Sequence, residues 1–395
     1  MKKSKKLLVA FVGIILGLAL SGCHNPFLQL GKEAVAQSSS PIMLSPSPGD
    51  AFQDGSEEYP FLVYDVITLK RVGSDEVVNG HQWALDKHYL QIKDIDLTGT
   101  GNWVPIDFYK GGGFFGVYDG GGKIISGLYC NYPDFPYDNE IGLFFRVRGT
   151  VKNLGVVDAV FEAINGYALG GIAAYNNGGL IKNCFFKGEI TGGSTLGGIV
   201  GYNAGVVEEC YSAGSLNGLS WCGGVVGYNR EDGTVKNSYS LGTCVANACD
   251  AGGVAGTNYG EIQNCYAKGE EVTGSMYTGG IAGINFRDAI LENCVALYES
   301  IENTTHTVLN GRIMGDKWIP SVANNNYAYS GMLIDGSTVT GSLDDKNGEG
   351  ILSTDYESKT WWTTSATWSS PWDFVNVWEW DAVKKLPVLR NVGGQ

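Results

Sequence analysis

The sequence predicts an all-β fold: a parallel β-helix (β-solenoid) of about seven coils, with an N-terminal cap and a tryptophan-rich C-terminal cap. Three observations support this prediction. A glycine-rich motif returns at a nearly fixed interval, each copy is followed by a short alternating segment, and no segment shows a sustained helical period. A period in the tens of residues is typical of solenoids, and coils without helices must be built from strands and tight turns.

The glycine-rich motif has five clear copies, which begin at Gly170, Gly197, Gly223, Gly252 and Gly279. Their starts lie 27, 26, 29 and 27 residues apart. Each copy ends in an asparagine, and this place is held by Asn176, Asn203, Asn229, Asn258 and Asn285. Stacked amides hydrogen-bond along the strand-pairing direction, so we expect a structural ladder. The alternative is a polar ligand-binding strip.

A second strand-like segment follows each motif, with apolar and polar residues in alternation, as a half-buried strand requires. These segments span residues 181–185, 207–211, 235–239, 262–266 and 291–295. Two weaker copies precede them, at 112–116 with 124–128 and at 141–145 with 151–154. We therefore place the repeat array at residues 112–300.

One position of the second segment holds Cys184, Cys210, Cys265 and Cys294, with Ser238 in the remaining copy. We expect a small inward-facing core site, because stacked side chains lie about 4.8 Å apart while bridged β-carbons lie about 3.8 Å apart. The pair Cys244 and Cys249 differs, since both lie in the turn that lengthens one repeat. They form either a local disulfide or exposed thiols.

The residue after the core cysteine forms an aromatic line of Phe185, Tyr211, Tyr239 and Tyr266. By alternation it faces outward, so it is the candidate ligand-stacking strip of the array. The alternative is that another segment, such as the C-terminal tail, covers it. In that tail, six tryptophans lie between Trp361 and Trp380. They predict a packed cap, and the alternative is stacking on sugar rings.

The N-terminus has the pattern of an export signal, residues 1–22. Four lysines precede an apolar run that is too short and too strongly flanked for a stable membrane span. Leu20-Ser21-Gly22-Cys23 resembles a lipobox, in which Cys23 receives the lipid. We expect a lipoprotein anchored through Cys23 to a membrane, at the outer membrane or cell surface. Residues 23–50 are rich in serine and proline and predict a flexible tether.

Two segments flank the array. Residues 51–111 are expected to form the N-terminal cap and first strands, with a short helix over residues 65–71 that begins at the capping residue Asp65. Residues 301–395 are expected to form the final coils and the tryptophan-rich cap. Covers are needed because the end strands of a solenoid expose unpaired backbone groups.

The acidic composition argues against nucleic acid as a partner. The chain has 58 glycines and a formal charge of −14, and loss of the four signal lysines makes the mature chain still more acidic. Such a surface repels phosphate, so we expect no nucleic-acid partner. We also expect no cofactor, no metal site and a monomer.

The repeats resemble the GLUG-repeat family, whose units read Gly-Gly-Ile/Val-Val/Ala-Gly-x-Asn and then Ile-x-Asn-Cys-Tyr. The resemblance covers about residues 112–295, and Trp103-Val104-Pro105-Ile106 and Leu386-Pro387-Val388-Leu389 resemble its usual flanks. It implies a β-helical secreted or surface-displayed protein, in several cases part of an adhesin or a surface peptidase. It implies no single activity.

Catalytic motifs are absent from the sequence, which holds four histidines and no His-Glu-x-x-His. We therefore expect a non-catalytic binding or adhesion protein that recognises a host or matrix glycan or protein. The alternative is a polysaccharide lyase or glycoside hydrolase, which needs paired carboxylates on one face. Its candidate residues are Asp94, Asp96, Asp119, Asp138 and Glu140, with Arg146 and Arg148.

Overall fold

The computed structural model describes residues 52–131, 140–163, 165–269, 272–305, 309–364, 367–368 and 370–395. The chain divides into two units, Met1–Ala51 and Phe52–Gln395. The first unit lies outside the described residues, and with it the predicted signal, Cys23 and tether. The second unit is a parallel β-solenoid of about nine turns, which confirms the predicted fold class.

Each full coil contributes strands to five rows, numbered here in chain order. Row 1 is a six-stranded sheet made of Ala168–Gly170, Thr195–Gly197, Trp221–Gly223, Asp250–Gly252, Thr278–Gly279 and Asn310–Gly311. Row 2 is a seven-stranded sheet made of Phe144–Val147, Ala173–Asn176, Val200–Asn203, Val226–Asn229, Ala255–Asn258, Ala282–Asn285 and Met314–Lys317.

Rows 3 to 5 belong to one large sheet, in which the long strands Val117–Ser126, Thr150–Ala163 and Phe185–Gly192 each serve more than one row. Row 3 adds Phe61–Val63, His88–Gln91, Leu180–Lys182, Val206–Glu208, Thr234–Lys236, Glu261–Gln263, Ile290–Glu292 and Val322–Asn324. Row 4 adds Ile95–Asp96, Tyr211–Ser212, Tyr239–Ser240, Tyr266–Ala267, Val295–Ala296, Tyr327–Tyr329 and Glu349–Ile351. Row 5 adds Tyr129–Asn131, Ser215–Gly218, Thr243–Ala246, Val272–Gly274, Ser300–Asn303 and Leu333–Ile334.

The remaining elements are short. Val77–Val78 pairs with His81–Gln82, Leu333–Ile334 with Ser337–Thr338, and Trp378–Asp381 with Leu386–Leu389, all antiparallel. The helices in the described part of the chain are α1 (Val66–Arg71), α2 (Ser353–Tyr356) and α3 (Lys359–Thr363). As the sequence predicts, Asp65 caps α1: its carboxylate accepts the Thr68 backbone N–H at 2.8 Å. Leu69 of α1 is buried in the core.

The motif asparagines form a continuous buried ladder at the end of row 2. The side-chain N–H of each donates to the amide oxygen of the next across the four steps from Asn176 to Asn285, at 2.7–2.9 Å. All five side chains are fully buried. Their second N–H bonds reach turn carbonyls, such as that of Gly233 from Asn229 at 3.2 Å. The ladder thus satisfies backbone groups that the turns leave without a strand partner.

A second line of residues turns the chain between rows 3 and 4. Here the backbone is left-handed, with φ of 49–55° at Asn153, Asn183, Glu209, Asn237, Asn264, Asn293 and Asn325. Asparagine tolerates this conformation better than most residues. The predicted cysteine line follows directly, and Cys184, Cys210, Cys265 and Cys294 are buried free thiols. The side chain at this position accepts a backbone hydrogen bond from the preceding coil: the Cys184 N–H donates to the Cys210 sulfur at 3.4 Å, and the Cys210 N–H donates to Ser238 Oγ at 3.1 Å.

The structure corrects both alternatives for Cys244 and Cys249. Cys244 is bonded to Cys222, with Cα atoms 6.0 Å apart, and Cys249 is a free, partly exposed thiol. Cys222 lies in row 1 and Cys244 in row 5, and both side chains point into the core. Sequence proximity favoured Cys249 as the partner, but the coil brings rows 1 and 5 together across a narrow interior.

The solenoid extends beyond the seven predicted coils. At its N-terminal end, Phe61–Val63 and His88–Gln91 pair in parallel below the repeats, without the glycine motif. At the other end, the Lys346 carbonyl accepts the backbone N–H groups of Ile313 and Met314. The segment around Lys346, and not the tryptophan-rich tail, therefore covers part of the last coil.

The buried carboxyl of Asp250 lies at the corner between rows 1 and 2. The Thr257 hydroxyl, in row 2, donates to Asp250 Oδ2, in row 1, at 2.9 Å. The Asp250 side chain is only 6% exposed. Burial raises the pKa of Asp250 to about 6, although the hydrogen bonds from Thr257 and Trp221 oppose this shift.

We expect Asn229→Ala to lower the free energy of unfolding by about 1–3 kcal/mol for each buried partner left unsatisfied. The substitution removes the donor to Asn258 and the acceptor for Asn203. Denaturant titration followed by circular dichroism measures the change. The matched control is Asn217→Ala, because Asn217 is exposed. Equal midpoints for the two variants contradict the structural ladder.

We expect Asp250→Asn to stabilise the protein more at pH 8 than at pH 4. The folded-state pKa of about 6 lies above the ordinary value of 3.8, so the stability that the bound proton contributes is present below pH 4 and is lost as the pH rises through 6. The variant has no such loss, and the pH-dependent difference reaches at most about 3 kcal/mol.

Denaturant titrations of both proteins at pH 4 and pH 8 measure this difference. A second variant, Thr257→Val, keeps Asp250 but removes a hydrogen bond that favours its carboxylate form. We therefore expect the stability of this variant to change with pH about a higher midpoint than the stability of the wild type does. A difference between Asp250→Asn and wild type that is the same at both pH values argues against a buried, protonated carboxyl.

Candidate functional site

The predicted ligand-stacking strip is not exposed, so that prediction is wrong. Phe185, Tyr211, Tyr239 and Tyr266 do stack, with ring centroids 4.7–5.1 Å apart, but their side chains are at most 4% exposed. Instead, the alternative holds: the C-terminal tail covers this face of row 4.

The tail attaches to this face by apolar packing and by the tyrosine hydroxyls. Trp362, Trp368, Trp372 and Trp378 are buried against the stacked rings. The hydroxyls of Tyr211, Tyr266 and Tyr327 donate to the carbonyls of Gly393, Pro387 and Thr367, at 3.0, 2.8 and 2.6 Å. The tryptophans thus form a cap, as predicted, but the cap lies on the side of the solenoid.

A different line of aromatic rings runs along the outer side of row 2, and every ring in it except Phe145 is at least partly exposed. We call it the aromatic ridge. Successive ring centroids along it are 4.5–6.2 Å apart over eight steps. Its members are Tyr109, Phe108, Phe145, Tyr175, Tyr202, Tyr228, Tyr259, Phe286 and Trp318. Its two ends are the most open, with Tyr109 56% and Trp318 45% exposed.

The local sequence explains the ridge. Tyr175, Tyr202 and Tyr228 directly precede the ladder asparagines, and alternation in a strand sends one residue outward when the next points inward. In later coils Thr257 and Ile284 hold this position, and the aromatic residue follows the asparagine instead. This line was not predicted from the sequence, where the aromatic residues beside the cysteines form the more regular pattern. The Gly-Tyr-Asn triplet was the available signal.

The ridge presents ring edges and hydroxyls more than ring faces. Tyr202 and Tyr228 are stacked at 4.9 Å with planes 2° apart, and Tyr228 and Tyr259 at 5.2 Å with planes 23° apart. Partial burial raises the pKa of the Tyr202 and Tyr228 hydroxyls. These hydroxyls are therefore neutral hydrogen-bonding groups at neutral pH.

A notch lies beside the ridge because turn lengths differ between coils. Two residues, Tyr259 and Gly260, separate rows 2 and 3 in one coil, whereas the coils on either side use four, 230–233 and 286–289. The resulting cavity is about 350 Å³ and is lined by Tyr259, Arg287 and four carboxylates. The carboxylates are Glu231, Asp232, Glu261 and Asp288. One side of the ridge is therefore acidic.

Toward the Tyr109 end of the ridge, two of the proposed enzyme residues, Glu140 and Arg146, contact the same residue, Tyr175. The Tyr175 hydroxyl donates to Glu140, and the Arg146 guanidinium lies 4.9 Å and 5.3 Å from the ring centroids of Phe145 and Tyr175. Asp107 is also buried near this cluster, and burial raises its pKa against the opposing charge of Arg146. Asp107 was not among the residues predicted from the sequence.

The other proposed enzyme residues lie apart from this cluster. Asp94 and Asp96 accept backbone N–H groups of Ile124 and Thr98, at 2.9 and 2.8 Å. Asp119 forms an ion pair with Lys152 at 3.3 Å. Arg148 lies over Phe115, and Asp138 is outside the described residues. These are structural roles in turns and strand edges.

The described residues contain neither a metal-binding cluster nor a membrane-spanning helix. Within residues 52–395 as described, no group of three or more His, Cys, Asp or Glu side chains could hold a metal ion. In the same part of the chain, no helix is long and apolar enough to cross a membrane.

Comparison with known proteins gives one family match. The model of the GLUG motif matches residues 165–191 and 247–273, each of which is one coil. A putative Gly-rich membrane protein of Evansella cellulosilytica is 28% identical over 189 residues. That alignment covers 38% of this chain and 21% of the relative, so the chain spans about a fifth of the relative's length.

One solved structure shares the fold. The crystal structure of a putative immunoglobulin A1 protease from Bacteroides ovatus matches with a TM-score of 0.55 at 20% identity, over 86% of this chain and 94% of that chain. At this identity the match supports the solenoid fold alone. Together with the two motif matches, it leads to one conclusion: this chain carries GLUG motifs, and each matched motif forms one coil of a parallel β-solenoid.

Proposed function

We propose that this protein is a non-catalytic binding protein of the cell surface, held to the membrane by lipid on Cys23. Its recognition face is the aromatic ridge, and its ligand is a glycoprotein or polysaccharide of a host or matrix. The GLUG motifs and the membrane-protein relative support a surface location. The ridge supports the binding role.

The two aromatic lines differ in what covers them, and this contrast is the main support for the binding role. The row 4 line is sealed by the tail, as expected for aromatic residues with only a packing role. The ridge has no such cover from the described residues, and its end residues Tyr109 and Trp318 are about half exposed. Partly exposed aromatic side chains that line up over several coils are typical of interaction sites, because water contact with apolar surface is unfavourable.

If lipid on Cys23 holds the protein to the membrane, we expect Cys23→Ala to release it. The variant lacks the thiol that carries the lipid, and two or more acyl chains are needed for stable anchoring. Membrane fractionation and immunoblotting of cells that express each form measure the released fraction. Ser21→Ala is a matched control that keeps the thiol. Retention of Cys23→Ala in the membrane fraction contradicts the anchor.

The ridge predicts that Tyr202→Ser with Tyr228→Ser lowers adherence at least tenfold, because a loss of about 1.4 kcal/mol of binding free energy has that effect. The measurement is adherence of cells displaying each variant to surfaces coated with fibronectin, collagen or mucin. The matched control is Tyr59→Ser with Tyr129→Ser, two exposed tyrosines off the ridge. Circular dichroism checks that both variants fold.

Equal adherence of the two double variants to every coating contradicts the proposal.

A second candidate function is a polysaccharide lyase or glycoside hydrolase, favoured by the contact of Glu140 and Arg146 with Tyr175. Loss of polymer viscosity with the wild type, and its absence with Glu140→Gln, favours that candidate instead.

A further inference from the structure

We infer that the ligand of the aromatic ridge is a protein with an extended basic surface, and not a glycan. This inference rests on the proposed function and narrows its ligand to one class. Three features of the ridge carry it: the packing of its rings, the rigidity of its tyrosines and the charge beside it.

The packing of the rings disfavours a sugar ligand. Sugars and organic cations bind aromatic residues mainly through the ring face, where the π electrons give negative potential. In the middle of the ridge, neighbouring rings cover these faces: Tyr228 is stacked on Tyr202 at 4.9 Å and on Tyr259 at 5.2 Å. Edges and hydroxyls remain for a ligand, and these suit the mixed apolar and polar surface of a protein.

The tyrosines are also held rigidly. Tyr175, Tyr202 and Tyr228 each lie on a strand paired on both sides, next to a fully buried ladder asparagine. Rigid tyrosines give large amphipathic contact at a low entropy loss, and tyrosine, tryptophan and arginine dominate the energetic centres of protein interfaces. The ridge therefore has the composition and order of an interface centre.

The charge beside the ridge selects the partner. The notch places Glu231, Asp232, Glu261 and Asp288 around Tyr259, with Arg287 in its lining and Arg230 paired with Glu231 at 3.3 Å, so that carboxylates remain in excess. Charged residues at the rim of an interface accelerate association with an oppositely charged partner and reject partners of like charge. The partner thus carries lysine or arginine near the notch, and polyanionic glycans are excluded.

The test uses two defined probes with the full chain. A phage-displayed library of random 15-residue peptides is selected on the wild type and counter-selected on Tyr202→Ser with Tyr228→Ser. In parallel, an array of neutral, amine-bearing and uronate polysaccharides is bound to both proteins. We expect ridge-dependent peptides enriched in lysine and arginine, and no ridge-dependent signal on the array.

A charge variant tests the notch with the selected peptides. We expect Asp232→Lys with Asp288→Lys to lower the association rate about tenfold at low salt, with a smaller loss at high salt. The control is Glu189→Lys with Glu302→Lys, two exposed carboxylates of row 5 with the same change in charge. An equal effect of both pairs overturns the role of the notch.

Two outcomes overturn the inference and differ in what they leave standing. Ridge-dependent binding to a polysaccharide, without ridge-dependent peptides, shows that the ridge is a recognition face but that its ligand is a glycan. Ridge-independent binding of every peptide and polysaccharide overturns the recognition face as well.

Discussion

Parallel pairing of each coil with the next is the interaction on which the rest of this structure depends. Each strand lies in register over its copy, about 4.8 Å away, so equivalent side chains are stacked in lines. A buried amide such as Asn203 must then bond to other amides, and it does so on both sides, to Asn176 and Asn229. The same constraint stacks the aromatic rings of Tyr202 and Tyr228 and of Tyr239 and Tyr266.

Stacking produces two aromatic lines that differ in what covers them. In row 4 the hydroxyls of Tyr211 and Tyr266 bond to the tail, and the buried tryptophans exclude water from the rings. In row 2 no comparable segment of the described chain packs on Tyr202 or Tyr228, and both remain partly exposed. One line thus stabilises the fold, and the other is available to a partner.

In the binding role that we propose, the acidic notch adds selectivity to the ridge. Because turns tolerate insertions better than strands do, the coils differ mainly in their turns. The short turn at Tyr259 and Gly260 between two longer ones creates the acidic notch without disturbing the ladder, since Asn258 still bonds to Asn229 and Asn285. Variation in the turns can therefore change specificity while the core stays constant.

The sequence by itself determined the solenoid, the capped helix α1, and the inward lines of asparagine and cysteine, because these follow from local alternation and a repeated period. It did not determine which aromatic line is covered, since Trp378 and Gly393 come to Tyr239 and Tyr211 from more than a hundred residues away. Nor did it pair Cys222 with Cys244, extend the solenoid to Phe61, or join Glu140 to Tyr175. Those contacts depend on how coils and tail pack in three dimensions, and local periodicity carries no information about such distances.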